Sequence, residues 1–222
     1  MALRLLFHPF SSFCQKALIA LYERDLAFEP AIVDLGDKDQ RAALEALWPI
    51  SKFPVLRDEE VGETIAEASL IVEYLDRFGP AAPLVPAERD EALRVRLWDR
   101  VFDNYVELPL QKAVGDTFRP AEARDAFGVE EAKSQLRRSY AMIDAELART
   151  GSEWIAGSAF TLADCAAAPA LFYANIVEPF EASQSLSNYY GRLLARPSFA
   201  RAVEEARPYR AFFPLPWPDS YR

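Results

Sequence analysis

The sequence predicts an α/β domain followed by an all-helical domain, and three observations support that prediction. Short apolar runs of strand length occur only before residue 79. The next segment, residues 80–87, contains three prolines, so it cannot continue a helix and acts as a semi-rigid connector. Beyond it, apolar residues recur only at helical spacing. We therefore divide the chain into residues 1–79, a linker at residues 80–87 and a helical domain at residues 88–222.

The N-terminal domain is predicted to begin with a strand, a helix and a second strand. Residues 3–7 form a short apolar run, which residues 9–12 end. Apolar residues then recur at steps of three and four over residues 14–21, the spacing of one helix face. Residues 31–33 predict a second strand that pairs with the first in parallel.

A hairpin and a helix complete the predicted N-terminal domain. Residues 55–56 and 64–65 flank the charged stretch at residues 57–62, which is typical of a β-hairpin. Residues 70–75 then return to a helical period.

The second domain contains helical patterns alone. Apolar residues step by four over residues 93–101 and again over residues 132–140. The Ala-rich run at residues 155–177 contains Asp164 and Pro169, so it predicts a buried helix and not a membrane span. The apolar, proline-rich segment at residues 212–218 is expected to pack over the molecule.

Composition and charge exclude several classes of function. The 222 residues carry 34 acidic and 25 basic side chains, and a formal net charge of −9 disfavours nucleic acid as a partner. Two cysteines are too few for a disulfide scaffold, and one histidine is too few for a multi-histidine metal site. No apolar leader opens the chain. We therefore expect a cytoplasmic protein that binds no metal, nucleic acid or membrane.

Ser11 and Ser12 lie where the first strand meets the first helix. A helix start offers unpaired backbone N–H groups and a positive dipole end, and both favour a thiolate. A serine hydroxyl there can donate to the thiolate and lower its pKa from about 8.5. A helix cap is the structural alternative, with Gln15 completing a capping box that begins at Ser12.

Three further motifs also have structural explanations when each is taken alone. Pro54 precedes a predicted strand, which is a common place for proline. Residues 67–69 begin a helix, whose N-terminus favours an anion but needs no ligand. Thr161 and Asp164 fit a capping box at the start of the buried helix.

Together and in this order, these motifs resemble the glutathione transferase family. The resemblance covers nearly the whole chain, through residues 3–7, 11–14, 51–56, 67–75, 160–164 and 192–199. It implies a thioredoxin-like N-terminal domain that binds glutathione, followed by the all-helical domain of that fold. It also favours the functional interpretations of Ser11, Pro54 and Glu67.

The resemblance implies how glutathione is held. Pro54 is expected to be a cis-proline that turns the backbone of Phe53 toward the cysteinyl part of the tripeptide. Lys52 is expected to meet the glycyl carboxylate and Glu67 the γ-glutamyl ammonium.

The γ-glutamyl α-carboxylate is expected at the backbone N–H groups of Ala68 and Ser69. The family usually has serine where this chain has Ala68, so one hydroxyl contact is missing unless Ser69 supplies it. Lys16 and Lys52 are the basic groups expected near the anionic substrate.

The resemblance also bears on the residue that activates the thiol. Ser11 falls where the theta, zeta and tau types keep their catalytic serine, and Ser12 is its rival. Phe13 stands where beta-type enzymes have a cysteine. We interpret Cys14 as a buried structural thiol, and we expect His8 to pack near the site without catalysing.

The function that the resemblance implies is conjugation of the glutathione thiolate to a small electrophile by a homodimer. The electrophile is expected between the domains, with Phe10, Phe102 and Tyr105 as candidate walls. Two alternatives remain: a zeta-like glutathione-dependent cis-trans isomerase of the maleylacetoacetate type, and a protein that binds glutathione or another ligand with little turnover.

Overall fold

Residues 2–180 and 182–217 are described by a computed structural model. Four strands and three helices come first along the chain: β1 (Leu3–Phe7), α1 (Ser12–Glu23), β2 (Glu29–Ile32), α2 (Lys38–Leu47), β3 (Val55–Asp58), β4 (Glu63–Ala66) and α3 (Ala68–Leu75). Helices follow: α4 (Arg89–Val101), a π-helical segment (Phe102–Glu107), α5 (Leu108–Asp116), α6 (Ala126–Thr150), α7 (Leu162–Val177), α8 (Gln184–Ala195) and α9 (Pro197–Ala206). Short 3₁₀ turns lie at Ala121–Ala123 and Arg207–Phe212.

The sheet has the strand order β2-β1-β3-β4. β1 pairs with β2 in parallel, with Leu5 opposite Pro30, and β3 pairs antiparallel with both β1 and β4. The predicted strand-helix-strand unit and hairpin are therefore confirmed. β2 runs over Glu29–Ile32, earlier than the predicted residues 31–33, although the N–H of Val33 still donates to the carbonyl of Phe7 at 2.8 Å.

Helix α2 was not predicted from the sequence. Leu44 is its one buried residue, so its apolar period is too weak to distinguish it from a loop. Its start is nevertheless marked by Asp37, whose carboxylate accepts the N–H groups of Asp39 and Gln40 at 2.9 and 3.1 Å.

Helix α1 is buried on every side from Cys14 to Leu21. It packs against α3 on one side and against α7 and α9 on the other. A helix without a solvent-facing side is stable only inside a protein, and α1 meets that condition by lying between the sheet domain and the helical bundle.

Helix α7 begins with the predicted capping box. Asp164 is fully buried, and its carboxylate accepts from the backbone N–H groups of Thr161 (2.8 Å) and Ile155 (3.2 Å) and from the hydroxyl of Tyr189 (2.6 Å). The buried helix start therefore has a hydrogen-bond partner for its backbone. Within the described ranges, no helix has the length and apolar character that crossing a membrane requires.

The proline-rich segment is fixed to the sheet domain by buried polar contacts. The Arg24 guanidinium, which is 3% exposed, donates to the carbonyls of Leu75 (3.1 Å) and Ala82 (2.8 Å). Asp76 accepts the backbone N–H groups of Leu84 and Val85 at 2.8 and 2.9 Å. These bonds set the direction in which the chain enters α4.

The C-terminal segment packs over the molecule, as predicted, as far as the structure describes it. Phe213, Leu215 and Trp217 are partly buried against the core. The indole N–H of Trp217 donates to the carbonyl of Arg210 at 3.3 Å. Pro218 lies outside the described residues.

Candidate functional site

The turn between β1 and α1 places two serine hydroxyls side by side. The N–H of Phe10 donates to Nδ1 of His8 at 3.2 Å, and the N–H of Ser11 donates to the carbonyl of His8 at 3.0 Å. These bonds close the turn, so that Ser11 becomes the N-cap of α1 and Ser12 its first residue.

The predicted capping box from Ser12 to Gln15 is wrong. The cap lies one residue earlier, at Ser11, whose Oγ accepts the N–H of Cys14 at 3.4 Å. The buried Gln15 amide instead donates to the carbonyl of Pro9 and the hydroxyl of Tyr173, both at 3.0 Å. Gln15 therefore ties α1 to α7.

Ser11 and Ser12 differ in what their hydroxyl groups bind. The Ser12 hydroxyl donates its single hydrogen to Oε1 of Glu107 at 2.6 Å. The Ser11 oxygen accepts a backbone N–H, and its hydroxyl faces the neutral Cys14 thiol and not a carboxylate, so it can still donate to a ligand. The two adjacent serines therefore differ in whether their hydroxyl hydrogen is already bound to a carboxylate.

Glu107 is a buried carboxyl group at the end of the π-helical segment. Its Oε1 also accepts from the Gln111 amide at 3.0 Å, and its Oε2 has no hydrogen-bond partner among the described residues. Burial raises the pKa of Glu107 to about 7, although the hydrogen bonds from Ser12 and Gln111 act in the opposite direction.

A polar pocket of about 240 Å³ brings together most of the residues predicted to hold glutathione. Lys52, Phe53, Pro54, Glu67 and Ala68 all line it. The Phe53–Pro54 peptide bond is cis, as predicted. Sequence reasoning missed its other lining residues: Phe13, Trp48, Arg100, Asp103, Asn104, Leu108 and Gln111.

Glu67 has an unusual backbone conformation at the edge of this polar pocket. Its φ of 70° lies in the left-handed region, which costs about 1–3 kcal/mol for a non-glycine residue. The conformation turns the chain from β4 into α3, with Glu67 as the N-cap position and no side-chain cap bond. The N-terminus of α3, which begins at the buried Ala68, therefore opens beside the Glu67 carboxylate.

Lys16 and Ser69 form a buried ion cluster with Asp99 and Asp103, and the exposed Arg100 pairs with both carboxylates from the surface at 2.7 and 2.6 Å. Lys16 is 1% exposed, and its Nζ lies 2.5 Å from Oδ1 of Asp99 and 2.9 Å from both carboxylate oxygens of Asp103. The Ser69 hydroxyl accepts from Lys16 and donates to Asp99, each at 2.9 Å.

The expectation that Lys16 serves as a basic group facing the substrate is therefore wrong. The sequence places Lys16 one turn from the serines, but the fold pairs it with acidic side chains of the helical domain. The cationic side chains that do line the polar pocket, within the part of the chain that the structure describes, are Lys52 and Arg100.

An apolar cavity of about 320 Å³ adjoins the polar pocket, and Gln111 lines both. Ser11, Ser12 and Glu107 lie on its wall, and the rest is mainly apolar: Phe10, Leu110, Val114, Gly115, Phe118, Tyr173, Phe212, Phe213 and Pro214. The C-terminal segment thus borders this cavity.

Of the three candidate walls, Phe10 lines this cavity, whereas Phe102 and Tyr105 do not. Phe102 is fully buried in the core, and Tyr105 is 50% exposed to solvent away from the cavity. Both lie in the π-helical segment, whose wider turn changes which side chains share a face relative to an α-helix.

Other reactive side chains near the serines are occupied or buried. Cys14 is a free, fully buried cysteine, as expected of a structural thiol, and burial raises the pKa of its thiol to about 12. The Tyr173 hydroxyl accepts from Gln15 and donates to the carbonyl of Phe10. His8 packs on Phe53 and Tyr209, and burial lowers its pKa, consistent with a neutral ring that accepts a backbone N–H.

One signal in the sequence could have found Asp103 and Gln111 among the missed residues of the polar pocket. Asp99, Asp103, Glu107 and Gln111 recur at steps of four and form a polar row along helices that are otherwise apolar on the buried side. Such a row is typical of a face directed at a polar site.

Comparison with known proteins finds family models at both ends of the chain. The glutathione S-transferase N-terminal domain matches residues 5–82, and the glutathione S-transferase C-terminal domain matches residues 126–206. A glutathione S-transferase from Silene vulgaris is 28% identical over 208 residues, which are 88% of this chain and 94% of that protein.

Two further similarities are relevant. A probable maleylacetoacetate isomerase from Vibrio cholerae is 27% identical, over 89% of this chain and 94% of that protein. A glutathione S-transferase from Methylobacillus flagellatus, crystallised with glutathione bound, is 25% identical with a TM-score of 0.82, covering 90% of this chain and 98% of that one.

Proposed function

Because this chain belongs to the glutathione transferase family, we propose that it conjugates the thiolate of glutathione to a small, largely apolar electrophile. The observation that carries this proposal is the junction of the polar pocket and the apolar cavity. Ser11 and Ser12 lie on the cavity wall, and Gln111 lines both spaces. A tripeptide in the polar pocket can therefore extend its thiol toward the serines.

In this proposal, the polar pocket holds glutathione by its charged ends. Lys52 meets the glycyl carboxylate, and the backbone of Phe53 pairs with the cysteinyl part. Glu67 pairs with the γ-glutamyl ammonium, and the N-terminus of α3 at Ala68 receives the α-carboxylate. The Ser69 hydroxyl already bonds within the buried ion cluster, so we assign only its backbone N–H to the ligand.

Ser11 is proposed as the residue that stabilises the thiolate. Its hydroxyl can donate, whereas that of Ser12 is bound to Glu107 at 2.6 Å. A hydrogen bond to an ionised group contributes about 1.5–3 kcal/mol, which corresponds to a decrease in thiol pKa of roughly 1–2 units. The bound thiolate then attacks the electrophile in the apolar cavity.

The shape and charge of the apolar cavity favour conjugation over the isomerase alternative. An isomerase that acts on a dicarboxylic acid needs cationic groups for the second carboxylate. Among the described residues that line the cavity there is no lysine or arginine, and Glu107 is the one acidic residue. A neutral aromatic electrophile fits such a wall better than a dianion.

Replacing Ser11 with alanine tests the proposed function. We expect turnover with a generic aromatic electrophile to fall by roughly 10–100-fold and the pKa of the bound thiol to rise by about 1–2 units. The pKa is measured by the ultraviolet absorbance of the thiolate, and glutathione affinity by calorimetry. Glu131→Gln, a substitution on the exposed face of α6, is the control.

Three outcomes would contradict parts of this proposal. An unchanged thiol pKa in Ser11→Ala would remove Ser11 as the stabilising residue. Glutathione binding without turnover of electrophiles, peroxides or maleyl-type acids would favour a binding protein. A protein that neither binds glutathione nor turns over any of these would overturn the function.

We also propose that the protein is a cytoplasmic homodimer. Leu70 on α3 and Leu93 and Leu97 on α4 are 55–66% exposed, beside an ion pair in which Arg96 donates to Glu73 at 2.7 and 3.0 Å. These leucines form an exposed apolar face suited to a second copy.

Sedimentation at micromolar concentration tests the dimer. We expect the wild-type chain to sediment at twice the monomer mass of 25.0 kDa and Leu97→Arg to shift the equilibrium toward monomer. A wild-type chain that stays monomeric at tens of micromolar, a concentration at which stable interfaces are saturated, would contradict it.

A further inference from the structure

We propose that the carboxylate of Glu107 accepts the thiol proton of glutathione through the hydroxyl of Ser12. This inference rests on the proposed function, since it concerns the same thiol. It gives the adjacent serines separate tasks: Ser11 stabilises the thiolate, and Ser12 with Glu107 removes its proton.

The direction of the Ser12 hydrogen bond allows Ser12 to accept the thiol proton. A serine hydroxyl has one hydrogen and two lone pairs, and that hydrogen is directed at Oε1 of Glu107 at 2.6 Å. Toward the cavity, Ser12 therefore offers only lone pairs. Such an oxygen can accept the hydrogen of a thiol, but it cannot donate to a thiolate until its own proton has moved.

The surroundings of Glu107 favour its uptake of a proton from Ser12. Its side chain is 3% exposed, and Oε1 accepts from both Ser12 and Gln111. Its other oxygen, Oε2, is buried without a partner in the described part of the chain. A buried carboxylate whose oxygen accepts no hydrogen bond is destabilised in its charged form. Taking up a proton removes that charge, so the neutral form is favoured.

The charged and titratable groups that face Glu107 do not offset its tendency to take up a proton. Lys16 on α1 favours the ionised form, but it is paired with Asp99 and Asp103. Asp103, one turn earlier, favours the neutral form. On α7, the Tyr173 phenol is neutral, because its burial raises its pKa well above the ordinary value. The raised pKa of Glu107 agrees with this balance.

The proton transfer conserves atoms and charge. The S–H bond of glutathione breaks, and its proton bonds to the Ser12 oxygen as the Ser12 O–H proton bonds to the Glu107 carboxylate. The products are a thiolate, an intact Ser12 hydroxyl that can now donate to it, and a neutral Glu107. After the thiolate attacks, the displaced group leaves with its electron pair and Glu107 loses its proton to solvent.

The test follows the proton when wild-type protein is mixed with glutathione. At a pH near 7.5, Glu107 is mostly ionised, since its pKa is about 7, and the free thiol, with a pKa of about 8.5, is mostly protonated. We expect the thiolate absorbance to appear without proton release to a pH-indicator dye. An infrared difference spectrum should show a new neutral carboxyl band.

Two variants separate the relay from a structural role. In Glu107→Gln, which keeps the shape of the side chain and an acceptor for Ser12, we expect one proton released per thiolate and no carboxyl band. Thiolate formation, followed by stopped flow, should slow by about 10²-fold or more and depend on buffer concentration. Ser12→Ala should behave likewise, and Ser12→Thr, which keeps a hydroxyl, should restore the wild-type result.

The wild-type measurement decides the proposal even if a variant fails to fold. One proton released per thiolate without a carboxyl band would overturn the relay while leaving the glutathione transferase function intact. Failure to bind glutathione in calorimetry would instead overturn the proposed function. Glu131→Gln, on the exposed face of α6, is the matched control for loss of a carboxylate.

Discussion

Replacing Lys16 with methionine is expected to lower the free energy of unfolding by about 3–5 kcal/mol, because it leaves the buried carboxylates of Asp99 and Asp103 with the half-exposed Arg100 in place of a buried counter-ion. Lys16 is 1% exposed and lies 2.5 Å from Asp99 and 2.9 Å from Asp103. Methionine fills a similar volume, so the loss reflects charge more than packing. Urea denaturation followed by circular dichroism measures the change.

The stability lost in Lys16→Met should depend on pH, because it arises from the ionised carboxylate of Asp103. Burial raises the pKa of Asp103, and Lys16 lowers it, so removing Lys16 raises that pKa further. Ionisation then opposes folding, and the stability lost in Lys16→Met should be recovered as the pH falls toward about 4.

A surface ion pair supplies the control for this variant. Lys133 lies 3.7 Å from Glu178 and is 33% exposed, so Lys133→Met is expected to cost less than about 1 kcal/mol. A Lys16→Met protein as stable as this control, or one whose loss does not vary with pH, would show that the buried ion cluster is not held by Lys16.

Replacing Asp164 with alanine is the second substitution with a large expected effect. It leaves the backbone N–H groups of Ile155 and Thr161 and the hydroxyl of Tyr189 without their acceptor in the core. Each unsatisfied buried donor costs about 1–3 kcal/mol, so we expect the three together to lower the free energy of unfolding by at least about 3 kcal/mol.

Two comparisons make this expectation specific. Asp164→Asn keeps the shape and one acceptor oxygen, so it should lose less stability than Asp164→Ala. Asp125→Ala removes a partly exposed N-cap of α6 and should have a smaller effect than either. Equal losses from Asp125→Ala and Asp164→Ala, measured by thermal unfolding, would mean that burial of the capping box is unimportant.

Local patterns in the sequence predicted much of the fold. The parallel pair β1 and β2, the hairpin of β3 and β4 and the capping box of α7 depend on neighbouring residues and standard geometry. The polar-pocket residues from Lys52 to Pro54 and at Glu67 and Ala68 were found through the order of the motifs, since no motif is diagnostic alone. The division of the chain at residues 80–87 stays a prediction.

The parts that sequence analysis missed depend on contacts between distant segments. Nothing near Lys16 in the sequence indicates that Asp99 and Asp103 will enclose it. Glu107 meets Ser12 across 95 positions, and the π-helical segment that positions it has no simple sequence signature. Such pairings are set by packing of the two domains and not by local propensity.

The burial of α1 on every side has a consequence for how the molecule holds together. Its buried apolar residues belong to one hydrophobic cluster that includes Leu3 in the sheet and Ala202 in α9. The same helix begins at the serines, so the position of their hydroxyls depends on packing from both halves of the chain. The apolar core therefore crosses the predicted boundary at residues 80–87, and we expect the two halves to unfold together.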